Sequence, residues 1–101
     1  MKRTELTNDG EPIRSALRRL NHKVPATLAG LTMCITGIVP GMVGTQAETA
    51  AYLAGAAKAT KNVSSRTQLL VIGQNAGRDK LNRAEDYQTP TITAREFLAL
   101  I

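Results

Sequence analysis

Apolar and polar positions change their spacing along this chain, and the changes mark its elements. Ile13, Ala16, Leu17 and Leu20 recur at three- and four-residue steps, the period of one helix face. Pro12 suits the first turn of such a helix and Pro25 stops it from continuing, which predicts a helix over about 12–21. From Leu28 onward the spacing predicts strand, helix, strand, strand, helix, strand, helix. Leu31 to Thr36 is a buried first strand, closed by Gly37 and the turn-rich stretch Pro40, Gly41, Gly44. Thr45 and Glu48 have the spacing of a capping box. They open a helix through Ala47, Ala50, Ala51 and Ala54 to Gly55, with small side chains that permit close packing on a sheet. Ala57 to Thr60 and the apolar run Leu69 to Ile72 are too short for helices and read as strands. A second helix spans Arg78 to Tyr87, with Leu81 and Ala84 inward and Lys80 and Arg83 accessible. After Pro90, Thr91 and Ile92 form the last strand. Thr93 and Glu96 repeat the capping-box spacing ahead of Phe97, Leu98, Leu100 and Ile101 in a closing helix. Strands joined by helical crossovers imply an α/β fold with a mainly parallel sheet and helices on its faces.

The 101 residues, 43% of them hydrophobic and 21% charged, fit one compact domain with little room for a second. Composition nevertheless shifts at the amino end. Residues 1–25 gather Lys2, Arg3, Arg14, Arg18, Arg19 and Lys23 against Glu5, Asp9 and Glu11, a basic arm ahead of a domain at 26–101. Arg14 and Arg18 are four apart with Arg19 beside them, so they project from the side away from most of the apolar stripe. That basic side is either a solvated face or a surface that touches phosphates. Removal of residues 1–23 is expected to leave a folded core and to weaken binding to polyanions. With 13 Lys and Arg against 8 Asp and Glu, the net charge of +5 and a pI near 9.9 favour polyanionic partners, nucleic acid first. Aromatic residues are only Tyr52, Tyr87 and Phe97, few platforms for stacked bases, so phosphate contact is the stronger expectation.

Several chemistries lose their usual support. Cys34 is the lone cysteine and His22 the lone histidine, which removes an intrachain disulfide, a cysteine-rich zinc site and a His-pair metal site. Cys34 falls inside the first strand, where a thiol behaves as a small apolar residue. His22 beside Lys23 reads as a helix-end residue rather than a base. Glu85 and Asp86 are adjacent, point in different directions and make a poor carboxylate pair. Dinucleotide, Walker-type and nucleophile-elbow glycine motifs do not occur. No apolar run reaches the about 18 residues a membrane helix needs, and the amino terminus lacks the apolar core of a secretory signal. No enzyme, metal, cofactor or membrane association is expected.

One constellation points to binding. Thr36 and Gly37 end the first strand, while Gly77, Arg78 and Lys80 open the second helix; in a parallel sheet, strand ends and helix starts share an edge. An anion there can take the Thr36 hydroxyl, the Gly37 N–H and the Lys80 ammonium at the positive end of the helix. A purely structural reading, with Thr36 bonded to its own turn and Lys80 solvated, fits the same spacing.

Taken together, Leu28-Ala-Gly-Leu-Thr-Met-Cys-Ile-Thr-Gly37, Lys58-Ala-Thr-Lys-Asn-Val-Ser-Ser-Arg-Thr67, Leu70-Val-Ile-Gly73, Gly77-Arg-Asp-Lys-Leu-Asn-Arg-Ala84 and Pro90-Thr-Ile-Thr-Ala-Arg-Glu-Phe-Leu98 resemble the BRCT family. The resemblance covers about residues 26–101 and is nearest to the subclass in NAD-dependent DNA ligases and the large subunit of replication factor C. It implies a four-stranded parallel sheet with helices on both sides. It also implies a binding module without catalysis, which recognises phosphopeptides, DNA ends or repair proteins. Thr36, Gly37 and Lys80 match the family's phosphate-binding positions, and Arg83 with Ala84 matches a further basic residue and alanine. In the replication factor C type, a helix preceding the core joins in duplex binding, a feature this chain shares. That type also has a basic residue near the start of its first helix, where this chain has Gly44 and Thr45, so Arg78 or the arm arginines would have to compensate. The family's Gly-Gly turn is Ala56-Ala57 here, and Phe97 replaces its tryptophan.

The resemblance and the charge lead to a non-catalytic DNA-binding domain that recognises DNA ends or a 5′ phosphate in replication or repair. The assigned phosphate- and DNA-binding residues are Thr36, Gly37, Lys80, Arg78, Arg83, Arg14, Arg18 and Arg19. A protein-interaction module that binds a phosphopeptide or a replication or repair protein, or that homodimerises, is the competing expectation. The expected location is cytoplasmic and nucleoid-associated in a bacterium, nuclear in a eukaryote.

Overall fold

The computed structural model describes residues 6, 7 and 10–101. The elements run α1 Ile13–Arg19, β1 Asn21–His22, β2 Thr32–Thr36, α2 Gln46–Leu53, β3 Lys58–Thr60, β4 Leu69–Ile72, α3 Arg78–Tyr87, β5 Pro90–Thr93 and α4 Ala94–Leu100. One sheet holds the strands in the order β1-β5-β4-β2-β3, and each neighbouring pair is parallel. Leu69–Ile72 and Arg78–Tyr87 fall where the pattern predicts them.

β4 is the centre strand, and all four of its side chains are buried because a parallel sheet is covered on both faces. Alternation then sorts them. Leu69 and Val71 join Met33, Ile92, Ala47, Ala51 and Phe97 under α2 and α4. Leu70 and Ile72 join Cys34, Leu81, Ala84, Ile13, Ala16 and Leu20 under α1 and α3. The alanines of α2 work as their size suggests, since Ala47 and Ala51 lie against the sheet.

The sheet has a fifth strand beyond the four expected. Asn21 and His22 pair with Pro90 and Thr91; both side chains are exposed, so no apolar alternation marks them, and the strand exists because β5 offers an open edge. His22 is therefore an edge-strand residue, and its Nε2 lies 2.8 Å from Glu96 Oε1. α1 is shorter than the expected span and completes the second core face through Ile13, Ala16 and Leu20. Leu6, ahead of α1, is tied down as well: its N–H donates to Gln74 Oε1 at 2.8 Å and the Asn75 N–H donates to its carbonyl at 2.7 Å. Residues on both sides of the expected boundary at 25/26 thus share one buried cluster.

Two capping boxes are expected and one forms. The Glu96 N–H donates to Thr93 Oγ1 and the Thr93 N–H donates to Glu96 Oε1, opening α4 directly from β5. At α2 the Thr45 side chain makes no cap; Gln46 Oε1 instead accepts from the Val43 N–H at 2.8 Å.

Because Ile13 is buried under α3, Ile13→Ala should lower the unfolding free energy by about 2–4 kcal/mol, read as a lower urea midpoint at unchanged slope. Arg14→Ala on the solvent side should stay within about 0.5 kcal/mol. Burial pushes the Glu96 carboxyl upward, but the Thr93 N–H and His22 outweigh it and hold the group below its ordinary range. A depressed carboxylate stabilises the fold above its unfolded value, about 4.3, and that contribution is lost as pH falls through the folded value. The stability gap between wild type and Glu96→Gln should thus be full at neutral pH and close below about pH 4 in acid titrations of unfolding.

Candidate functional site

The carboxyl ends of β2 and β4 meet where two glycines let their backbones touch. Gly37 has φ +82, and a Cβ there would stand 2.6 Å from the Gly73 carbonyl oxygen and 2.7 Å from that of Gln74. A Cβ on Gly73 would in turn collide with the Ile38 backbone. The close approach allows a reciprocal bridge: the Ile38 N–H donates to the Gln74 carbonyl at 2.7 Å and the Gln74 N–H to the Ile38 carbonyl at 3.0 Å. Beneath it, Thr36 Oγ1 accepts from the Gly77 N–H at 3.0 Å. Gly77 is the N-cap of α3 and receives no side-chain cap of its own. The Thr36 hydroxyl therefore anchors the start of α3 to the end of β2.

This contact brings together the residues that spacing placed on one edge. Thr36 is only 3% exposed; its oxygen is engaged by Gly77, and its O–H is the donor it has left. Gly37 is exposed, and among the described residues its N–H has no acceptor. Lys80 sits in the first turn of α3, where helix N–H groups lack intrahelical partners and the dipole is positive. Its ammonium is close enough to act on Cys34 in β2. Burial pushes the Cys34 thiol up, the Lys80 charge pulls it down and Glu48 pushes it up again, with burial winning. Cys34 is fully buried and stays a neutral packing residue.

The remaining assigned cations divide. Arg14, Arg18 and Arg83 are exposed. Arg19 does not share the solvent side of α1; it is turned toward α3, paired with Glu11 through Nη1 and 3.5 Å from Glu85 through Nε. Arg78 Nη1 lies 4.0 Å from Glu11 Oε1. Glu11 is the residue that pattern reading missed. It precedes α1 and has no helical partner in sequence, so only the docking of α1 on α3 makes it a clamp for two arginines. On the other side of Gly37, a cavity of about 300 Å³ is lined by Ile35, Ile38, Met42, Val43 and Glu48. Its apolar walls and carboxylate make it unsuited to an anion. The first turn of α2 carries Glu48 rather than a base; of the cations expected to compensate, Arg14 and Arg18 are exposed, whereas Arg19 and Arg78 face Glu11.

The family description BRCA1 C Terminus (BRCT) domain matches residues 23–101. This chain belongs to the BRCT family. A DNA ligase of Paenarthrobacter aurescens is 38% identical over 78 residues, which are 77% of this chain and 10% of that protein. A DNA ligase of Gloeobacter violaceus is 40% identical over 76 residues, 75% of this chain and 11% of that protein. Replication factor C subunit 1 of Saccharomyces cerevisiae is 32% identical over 93 residues, 92% of this chain and 11% of that protein; a stretch of that length necessarily includes α1. The BRCT chain spans about a tenth of the length of these relatives. Among its described residues no helix is long and apolar enough to cross a membrane.

Gly37 combines a left-handed φ with a backbone neighbour that cannot retreat. Gly37→Ala should cost about 2–3 kcal/mol, more than an exposed loop substitution and more than Gly77→Ala, whose Cβ would meet only Thr36 Oγ1 at 3.7 Å. Chemical denaturation of the two variants measures the difference.

Proposed function

We propose that this BRCT chain is a DNA-binding module without catalytic chemistry of its own, and that it recognises the 5′ phosphate of a DNA end. The observation that carries the reading is the Thr36–Gly77 hydrogen bond, which gathers a free glycine N–H, a hydroxyl and the first-turn Lys80 around one helix start. In this reading a terminal phosphate takes the Gly37 N–H and the Lys80 ammonium, both charge-assisted contacts. Thr36 holds the helix start in place and offers its O–H from below. Arg83 extends the positive field along α3, and the exposed Arg14 and Arg18 of α1 meet backbone phosphates of the duplex. Arg78 and Arg19 join them only as far as Glu11 and Glu85 release them. Similarity to replication factor C subunit 1 that runs through α1 supports a role for that helix, and the net charge of +5 supports a polyanion.

Anisotropy titrations of matched duplexes, one with a 5′ phosphate and one with a 5′ hydroxyl, test the reading. Tighter binding to the phosphorylated end, weakened by salt, is the expected result, and Lys80→Ala should abolish the preference at a cost of about 1.5–3 kcal/mol for the phosphorylated duplex. Equal affinity for the two ends contradicts the end-recognition reading. Absence of binding at moderate salt would transfer the function to a protein partner.

A further inference from the structure

No Asp or Glu stands between Glu48 and Asp79, while Lys58, Lys61 and Arg66 fall inside that stretch. All three are exposed. With Lys80 and Arg83, they make no ion pair with a carboxylate among the described residues. The fold brings the loop cations toward α3. Thr60 at the end of β3 is the sheet partner of Cys34, and neighbouring strands lie about 4.8 Å apart. Lys61 follows immediately. Val63 then turns inward and is buried in the same cluster as Cys34, Leu81 and Ala84, which pins the loop against the α3 face of the sheet. The loop is braced internally: the Ser64 N–H donates to Thr67 Oγ1 at 2.9 Å, the Arg66 N–H to Ser64 Oγ at 3.2 Å, and the Thr67 N–H to the Ser64 carbonyl at 3.1 Å.

α3 has two flanks of different charge. Arg78 and Glu85, seven residues apart and so on one side of a helix, face α1 through Glu11 and Arg19. Leu81 and Ala84 face the sheet. Lys80 and Arg83, three apart, are left on the flank away from α1, toward the 61–66 loop. The action of Lys80 on Cys34 agrees with that direction. Asp79 and Asp86 lie on the outer, solvent side of α3, between the two flanks. We propose that Lys61 and Arg66, with the Ser64 and Ser65 hydroxyls beside them, continue the Lys80–Arg83 flank into a second contact track that takes the sugar-phosphate backbone of duplex DNA. A folded protein partner is disfavoured at the loop, because none of the exposed large apolar side chains falls within residues 61–66: Ile38, Val43 and Leu53 stand on the α2 side, and the Lys80–Arg83 flank carries only Tyr87 at its far end.

The proposal rests on the DNA-binding reading above but not on its end specificity, and the test separates them. The Lys61→Ala/Arg66→Ala double variant of the full chain is titrated with the phosphorylated and hydroxyl-ended duplexes over a range of salt. Affinity for both should fall roughly tenfold, with the slope of log affinity against log salt reduced by about 1 to 2 and the preference between ends unchanged. Both positions are exposed and outside the core, so thermal unfolding should be unaltered, and the charge-exchanged variant Lys61→Arg/Arg66→Lys should restore binding. An unchanged salt slope, or failure of that rescue in a folded protein, overturns the track. If wild type shows no end preference while the double variant still loses slope, end recognition fails and the track stands. If DNA does not bind wild type at all, both fail. Displacement of an acidic peptide by the double substitution without any change in DNA binding would overturn the track in favour of a protein partner.

Discussion

The structure turns on the close approach of two backbones at Gly37 and Gly73. Parallel strands need only sheet spacing, but here the chain leaving β2 and the chain leaving β4 come into direct contact, and neither tolerates a Cβ. The reciprocal Ile38–Gln74 hydrogen bonds and the Thr36–Gly77 bond follow from that contact. Together they fix where α3 begins and which way its first turn points. α3 in turn supplies the inward Leu81 and Ala84 on which α1 and Val63 pack, so the second core face, the position of Lys80 and the docking of α1 all inherit one local constraint.

Charge is sorted by the same helix. On its α1 flank, Glu11 and Glu85 draw in Arg19 and Arg78, and those arginines serve the attachment of α1. On the opposite flank, Lys80 and Arg83 make no ion pair among the described residues, although Asp79 and Asp86 lie on the adjoining outer side of the helix. The net charge of +5 is therefore not spread evenly: part of the positive charge holds the molecule together, and part is left facing solvent beside a helix amino terminus. That division explains how a basic surface can adjoin ion pairs without being neutralised by them.

Local signals carried much of this architecture. The buried run Leu69–Ile72 is bounded by polar turns, and Arg78–Tyr87 has its own inward pair, so both are legible from neighbours in sequence. Spacing placed Thr36, Gly37, Gly77 and Lys80 on one edge, and the fold joins Thr36 to Gly77 there; the choice of a phosphate role for them over a purely structural one came only from the family resemblance. What escaped depends on tertiary context. β1 has two exposed residues and exists only because β5 presents an edge. Glu11 becomes a clamp only when α1 meets α3. Thr45 and Glu48 have the same spacing as Thr93 and Glu96, yet the Gln46 carboxamide takes the role at α2 by accepting from Val43. His22 finds Glu96 across a sequence gap that no periodicity spans.

The most direct test of the central claim is an amide chemical-shift titration of the whole chain with a short duplex carrying a 5′ phosphate. A phosphate seated at the end of β2 shifts the Gly37 N–H and the amides from Gly77 to Lys80 most strongly and saturably, and shifts them less when the duplex ends in a hydroxyl. Static resonances at Gly37 and across the first turn of α3, with the largest changes elsewhere, would contradict it.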